Sequence, residues 1–82
     1  MGVARTSRFP NLPRNSTLRI HNSTGTVVRT FRPSDMSGNE VQWDGKNDSG
    51  ETLAAGAYYF VASRYDSDRG WENKKGMVAV LK

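Results

Sequence analysis

The stretch from Trp43 to Phe60 constrains the fold of this 82-residue chain most. Trp43 closes a short apolar run, and Gly56 to Phe60 opens an aromatic run of the kind that strands favour. Between them lie two turn signals, Asp44-Gly45 and Ser49-Gly50, in which glycine supplies the backbone freedom that tight turns need. The stretch therefore predicts two β-strands joined by a polar, glycine-rich loop over residues 44–55.

The clearest hairpin in the sequence comes before this stretch. Leu18 and Ile20 alternate with polar residues between Thr17 and His21, which is the period-two pattern of a half-buried strand. Turn residues follow at positions 22–25, and Val27 to Phe31 supplies a return strand. We expect Leu18 and Ile20 to face the core.

Four further strands complete the pattern. Val41 and Trp43 share one face of a short strand and are candidates for the core. The run from Tyr58 to Tyr65 is bulky on both faces, so we expect it at the centre of its sheet, with a tyrosine hydroxyl reaching water or a backbone partner. The strand that carries Val41 and Trp43 runs from Glu40 to Trp43. The remaining predicted elements are a weak first strand within Met1 to Phe9, a polar turn from Asp66 to Trp71 and a closing strand from Lys75 to Lys82.

Six or so short strands without a helical period predict an all-β fold, and a two-sheet antiparallel sandwich is the economical way to bury one face of each sheet. We expect one domain over residues 1–82, since no repeat or linker interrupts the pattern. The hydrophobic share of 35% and the mean hydropathy of −0.70 are low for an enzyme with a deep pocket. The aromatic share of 10% argues against disorder.

Charge and cysteine usage exclude several classes of function. The chain has no cysteine, so neither a disulfide framework nor a thiolate metal site is available. Twelve Lys and Arg against eight Asp and Glu give a net charge of +4, but the basic residues are scattered, which favours solvated strand faces over nucleic-acid binding. No apolar run approaches the roughly 20 residues that span a bilayer, so we expect no membrane insertion.

The residues also give little support to catalysis, metal binding or a cofactor. His21 has no nucleophile or orienting carboxylate at a recognisable spacing, so we interpret it as a surface residue and expect no enzymatic activity. Asp44, Asp48 and Glu51 share one loop and offer oxygen ligands for calcium. Lys46 places a positive charge among them, so turn formation is the favoured interpretation.

Aromatic residues suggest one further kind of site. Trp43, Trp71, Tyr58 and Tyr59 have the side chains from which a sugar-stacking platform is built. The favoured alternative places Trp43 in the core and makes Trp71 an anchor for its loop. Three Asn-X-Ser/Thr sequences match the glycosylation acceptor pattern, although turns use the same residue types, and they start at Asn15, Asn22 and Asn47.

The order and spacing of several short motifs resemble a known group of domains. The motifs are FPNLP at 9–13, TLRIHN at 17–22, GTVVRT at 25–30, WDG at 43–45, NDSGE at 47–51, AGAYYF at 55–60 and KGMV at 75–78. The chain is similar to the immunoglobulin-like C-terminal sorting domains of type IX secretion in Bacteroidetes-type bacteria. It also resembles the immunoglobulin-like domain of flagellar hook-capping proteins.

This resemblance implies a seven-stranded immunoglobulin-like sandwich at the C-terminus of a larger exported protein. Such a domain directs its cargo through an outer-membrane translocon, with its processing machinery, to the cell surface or exterior. Loops and free termini present groups to partners. We therefore expect recognition in the Asp44 to Glu51 loop, the Asp66 to Trp71 turn and the final strand Lys74 to Lys82. The predicted partner-recognition residues are Asp44, Asn47, Asp48, Glu51, Trp71, Lys74, Lys75, Gly76 and Lys82.

One alternative function remains open. The chain could be a non-catalytic immunoglobulin-like binding or spacer module of an adhesin, a glycan-degrading enzyme or a hook-capping-type scaffold.

The first strand also bears on the oligomeric state. Only the thin segment Val3 to Phe9 stands where the family carries a longer first strand. A poorly paired edge there would recruit a second copy by strand addition and give a homodimer.

Overall fold

The computed structural model describes residues 7–80, and within that range the chain is all β apart from one 3-10 turn. Four strands form one antiparallel sheet in the order β3-β2-β5-β6, and β1 pairs antiparallel with β4 to form a second sheet. The predicted two-sheet sandwich of about six strands is confirmed. The elements are β1 (Ser7–Phe9), β2 (Thr17–His21), β3 (Val27–Phe31), the 3-10 turn Pro33–Asp35, β4 (Val41–Trp43), β5 (Gly56–Asp66) and β6 (Gly70–Val80).

The β2–β3 hairpin forms as its alternation predicts. Leu18 pairs with Phe31 and Ile20 with Arg29, and the register shifts by one residue at His21, which pairs with Val27. Leu18 and Ile20 are fully buried. A bulge of this kind increases the local twist of the hairpin next to the turn at residues 22–25.

The β5–β6 hairpin is much longer than the sequence pattern suggests. Each strand has 11 residues, and the pairing runs without a break from Gly56–Val80 to Asp66–Gly70. Gly70 has a φ of +78°, a left-handed conformation that glycine adopts without strain, and it ends the turn. The predicted turn from Asp66 to Trp71 is therefore wrong at both ends, because only residues 67–69 form it.

The predicted closing strand is wrong at its start. It begins at Gly70, not at Lys75. The polar run from Glu72 to Lys75 pairs with β5, and its side chains are tolerated there because they lie at a solvated edge of the sheet. Lys82 lies outside the described residues, as does most of the predicted first strand. The described part of that strand, β1, pairs with β4 in the register Phe9–Val41.

The core lies between the two sheets. Trp43 is its largest fully buried side chain and meets Tyr58 edge to face, with ring centroids 5.8 Å apart. The Tyr58 hydroxyl donates a hydrogen bond of 2.8 Å to the carbonyl of Ala54, and β5 lies inside its sheet, as predicted. The other buried hydrophobic residues are Phe9, Leu12, Leu18, Ile20, Phe31, Val41, Ala62 and Val80.

No helix among residues 7–80 has the length and apolarity to cross a membrane.

Candidate functional site

The predicted recognition residues fall into two groups that the fold keeps apart. Those at positions 44–51 lie against β3, whereas those at positions 71–76 lie on β6. These two strands are the opposite edges of the four-stranded sheet, three inter-strand spacings or about 14 Å apart. The structure therefore does not bring the two groups together into one site.

The first group forms a tight turn around the side chain of Asn47. Its Oδ1 accepts hydrogen bonds from the backbone N–H groups of Ser49, at 3.0 Å, and Glu51, at 2.9 Å. Its Nδ2 donates to the Glu51 carboxylate at 3.1 Å. Gly50, with a φ of +84°, completes the turn and donates its N–H to the carbonyl of Asn47. Asn47 and Glu51 thus shape the loop itself.

Asn22 builds the β2–β3 turn in the same way. Its Oδ1 accepts hydrogen bonds from the N–H groups of Thr24 and Thr26, and Gly25 donates its N–H to the Asn22 carbonyl. Both turns share the sequence pattern Asn-X-X-Gly-X, in which an asparagine oxygen replaces a backbone acceptor. In residues 7–80, two of the three glycosylation-type sequences are therefore engaged in turns through their asparagine side chains.

The loop is fastened to the edge of β3. Asp48 donates its backbone N–H to the Val28 carbonyl at 3.0 Å, and its carboxylate accepts the Thr30 N–H at 3.1 Å. The indole of Trp43 donates to the Lys46 carbonyl at 2.9 Å, which ties the loop to the core. These bonds satisfy part of the open edge of β3, which would otherwise be available to another strand.

Arg29 is the centre of this attachment. Its Nη1 lies 3.1 Å and 3.3 Å from the carbonyl oxygens of Lys46 and Asn47, and 3.4 Å from the Asp44 carboxylate. Its Nε lies 3.7 Å from the Asp48 carboxylate. The guanidinium also lies 4.6 Å from the centre of the Phe31 ring. One side chain therefore links the loop, the β3 edge and the core.

A shallow hollow of about 620 Å³ opens beside this arginine and is lined by polar residues of β3 and the loop. Asp44 and Asp48 both direct carboxylate oxygens at the guanidinium, which occupies the place where a cation would sit. In the part of the chain that the structure describes, no three His, Asp or Glu side chains group closely enough to hold a metal ion. The charged side chains of Arg29, Asp44 and Asp48 thus pair with one another beside the hollow and hold the loop against β3.

The second group divides between the two faces of β6. Trp71 and Lys75 point away from the core, whereas Lys74 and Gly76 lie on the opposite face. The Lys74 ammonium donates to the Pro10 carbonyl at 3.3 Å, and Gly76 lies against the Phe60 ring. Gly76 therefore has a packing role.

The prediction that Trp71 anchors a loop is wrong. It lies on a strand, 68% exposed, and its ring meets that of Tyr65 edge to face at 5.5 Å. The favoured prediction that Trp43 lies in the core is confirmed, and the alternative of a four-residue aromatic platform is wrong because Trp43 and Tyr58 are buried. Sequence reasoning did not single out Tyr65 as part of a site, although the predicted strand from Tyr58 to Tyr65 ends at this residue and period two places it on the same face as Tyr59.

The sequence matches one family model, described as FlgD Ig-like domain, over residues 7–68. This covers well over half of the chain and includes β1 to β5. The chain belongs to the FlgD Ig-like domain family. No curated protein and no solved structure matches it.

Membership of the FlgD Ig-like family agrees with the sandwich that the structure shows, and domains of this family are non-catalytic modules. The match ends at residue 68, in the turn before β6. The described recognition residues of the second group lie beyond it, since β6 begins at Gly70.

Proposed function

We propose that this chain is a non-catalytic immunoglobulin-like module that a larger secreted or surface protein uses for binding or as a spacer. The match to the FlgD Ig-like family carries this proposal. The packing agrees with it, because the buried side chains form one small apolar core between two sheets, and the polar hollow beside Arg29 is open to water.

The geometry around His21 supports a role without catalysis. Its Nδ1 lies 3.3 Å from the Gly25 carbonyl oxygen, at the mouth of the β2–β3 turn. A general base needs the proton that it abstracts within hydrogen-bond reach, and a partner that orients its own side chain. Within residues 7–80 the hydrogen-bond partner of this ring is a backbone carbonyl of its own turn, so the histidine supports the hairpin.

A domain-replacement experiment tests the proposal. In the parent protein, residues 1–82 are deleted, or replaced by an unrelated immunoglobulin-like sandwich of similar length. A spacer role predicts that the unrelated sandwich restores the function lost on deletion, and a binding role predicts that it does not. Turnover of a substrate by the isolated chain, abolished by His21→Ala, would overturn both roles.

A second candidate is a sorting domain that directs the parent protein through an outer-membrane translocon to the cell surface or exterior. The order of the motifs between residues 9 and 78, which resembles type IX sorting domains, supports it. The exposed Trp71, Lys74 and Lys75 would then belong to the surface that the machinery recognises.

The sorting role has a direct test. The chain is fused to a passenger in a host with the secretion machinery, and export is compared with that of a fusion lacking residues 74–82. Because this deletion also removes the buried Val80, a second variant replaces Lys74 and Lys75 with alanine and keeps the strand. Export unchanged in both variants would refute recognition through β6.

The structure offers a second edge strand for the predicted homodimer. β6 is an edge strand of 11 residues in the described sheet, and unpaired edges recruit other strands. We propose this edge for the dimer in place of β1. Sedimentation of monomer alone at high concentration would refute it.

A further inference from the structure

Among the residues that the structure describes, the large hydrophobic side chains that are exposed all lie on one face of the four-stranded sheet. This face, here called the outer face, is the one turned away from β1 and β4. Side chains alternate along a strand, and cross-strand partners share a face, so the register assigns each residue to a face. The exposed residues are Val27 (43%), Tyr59 (44%), Tyr65 (64%), Trp71 (68%) and Met77 (64%).

One row of the outer face crosses all four strands. Val27 pairs with His21, His21 with Tyr59, and Tyr59 with Met77. Tyr59 therefore stands in the middle of the sheet with apolar or aromatic neighbours on both sides. The burial of Tyr58 on the other face holds this part of β5 in place.

A second aromatic position lies at the far end of the same face. Tyr65 pairs with Trp71, and their rings meet at an interplanar angle of 69°. Tyr65 is six residues beyond Tyr59 on the same strand, so the two positions are about 20 Å apart. The outer face thus offers two aromatic positions along the β5–β6 hairpin.

Cations and neutral polar groups occupy the strip between these positions. Arg19 and Lys75 flank Val61 in one row, and the next row consists of Thr17, Ser63 and Asn73. The described carboxylates of this hairpin lie on its other face or in its turn.

Asp66 and Glu72 illustrate this separation of charge. Both carboxylates form ion pairs with Arg64 on the inner face, at 3.4 Å and 3.8 Å. The outer face of β5 and β6 consequently carries positive charge alone in the described range, and it selects against cationic partners.

We propose that the outer face binds an acidic polysaccharide, extended along β5 and β6. The apolar C–H face of a sugar ring would stack on Tyr59 and on Trp71, because aromatic rings present a negative face to such positive edges. Uronate or sulfate groups pair with Arg19 and Lys75, and sugar hydroxyls meet the polar row at Asn73. This inference deepens the binding form of the proposed function and rests on it.

The charge on the face favours this occupant over two others. Single-stranded nucleic acid carries a phosphate on every nucleotide, and proteins bind it with dense positive grooves, whereas Arg19 and Lys75 are only two cations over about 20 Å. A second copy bound face to face would place the same cations opposite each other. A polymer with spaced negative charges matches the low density of cations on the outer face.

The test uses the full 82-residue chain and three polymers: alginate as the acidic polysaccharide, dextran as a neutral one, and a 30-nucleotide oligo(dT). Affinity electrophoresis and calorimetry measure binding. We expect retardation by alginate, and a loss of affinity of about tenfold for Trp71→Ala and for Tyr59→Ala, the scale of ring stacking on aromatic side chains. Trp71→Phe retains a ring and should recover part of the loss.

Adjacent lysines supply the matched control. Lys75→Glu reverses a charge on the outer face and should abolish retardation by alginate. Lys74→Glu makes the same change in net charge on the opposite face and should leave binding close to that of the unmodified chain. Circular dichroism checks that each variant is folded.

Three outcomes would overturn the proposal: no binding of alginate, an equal loss in the two lysine variants, or tighter binding of oligo(dT) than of alginate. A parent protein that keeps its function with an unrelated sandwich in place of this domain would show a spacer. Loss of polysaccharide binding alone would leave the broader module role intact, so the two failures are distinguishable.

Discussion

Replacing Arg29 with alanine should lower the stability of this domain more than any other single change at its surface. The side chain is 24% exposed and joins the loop over residues 44–51 to the edge of β3. Its hydrogen bonds to two loop carbonyls contribute about 1 kcal/mol each. Its contact with the Phe31 ring contributes about 0.5 kcal/mol.

The ion pairs of Arg29 contribute less than these hydrogen bonds. The carboxylates of Asp44 and Asp48 are 49% and 58% exposed, so each pair contributes about 0.3 kcal/mol. Freeing the arginine side chain returns about 1 kcal/mol of conformational entropy. The net loss of unfolding free energy should be about 2 kcal/mol, out of about 4–12 kcal/mol expected for a domain of this size.

Urea denaturation and thermal melting measure this loss. A decrease of about 2 kcal/mol corresponds to a melting temperature lower by about 8–16 °C in a domain of this length. Arg29→Lys keeps the charge but not the planar fork, so we expect it to retain less than half of the stabilisation. Arg19→Ala removes an exposed arginine from the outer face and should change stability by less than about 0.5 kcal/mol.

Salt separates the two parts of the effect. At 1 M NaCl the screening length is about 3 Å, which removes most of the ion-pair contribution and leaves the hydrogen bonds to carbonyls. The difference between the unmodified chain and Arg29→Ala should therefore persist at high salt. A difference below about 0.5 kcal/mol, or one that disappears at 1 M NaCl, would refute the account of Arg29 as the attachment of the loop.

Three smaller changes test the packing, each by urea denaturation. Trp43→Phe removes the indole hydrogen bond to Lys46 and leaves a small cavity, so stability should fall by about 1–2 kcal/mol; an unchanged midpoint would contradict this. Gly76→Ala would place a Cβ atom 3.0 Å from the Phe60 ring, and a loss of about 1 kcal/mol or more is expected; a neutral result would mean that the ring moves freely. Gly50→Ala meets no atom within 4 Å, so its cost of about 1–2 kcal/mol comes from a φ of +84° alone, and a stabilising effect would rule that out.

The core could be predicted from the sequence because its signal is local. Alternation over five residues was enough to place Leu18 and Ile20 inside, and the same period placed Val41 and Trp43. Each of these strands buries one face completely. A strand of that kind cannot slip by one residue without exposing its apolar side chains, so pattern and register agree.

The β5–β6 hairpin could not be bounded in this way because its far end has little core to contact. Residues 72–75 are polar on both faces, and their strand conformation comes from backbone pairing with β5 across a tight turn. Sequence alone cannot distinguish such a pairing from a loop, since polar residues serve in both. The distance between the two groups of recognition residues could not be predicted for a related reason: strand order decides which loops are neighbours, and short-range pattern carries no strand order.

The role of Arg29 could not be predicted from the sequence, although its partners lie in the loop over residues 44–55. In the sequence it is one of twelve scattered basic residues. Its neighbours in space come from residues 44–48, 15 or more positions away, and no period in the sequence connects them.

The two faces of β6 differ in what they contribute to folding, because its inner face contacts the core and its outer face is exposed. Val80 is the buried residue on its inner face, and Gly76 gives room to Phe60, so folding constrains few positions there. On the outer face Trp71, Lys75 and Met77 touch nothing that the core requires, and their replacement should cost little stability. Large apolar side chains that stay in water are a liability in a folded domain, and their concentration on the outer face supports the interaction surface proposed for it. β6 lies beyond the family match, and its outer face is the part of it that folding leaves free. A binding preference particular to this domain can be built on that face without changing the sandwich.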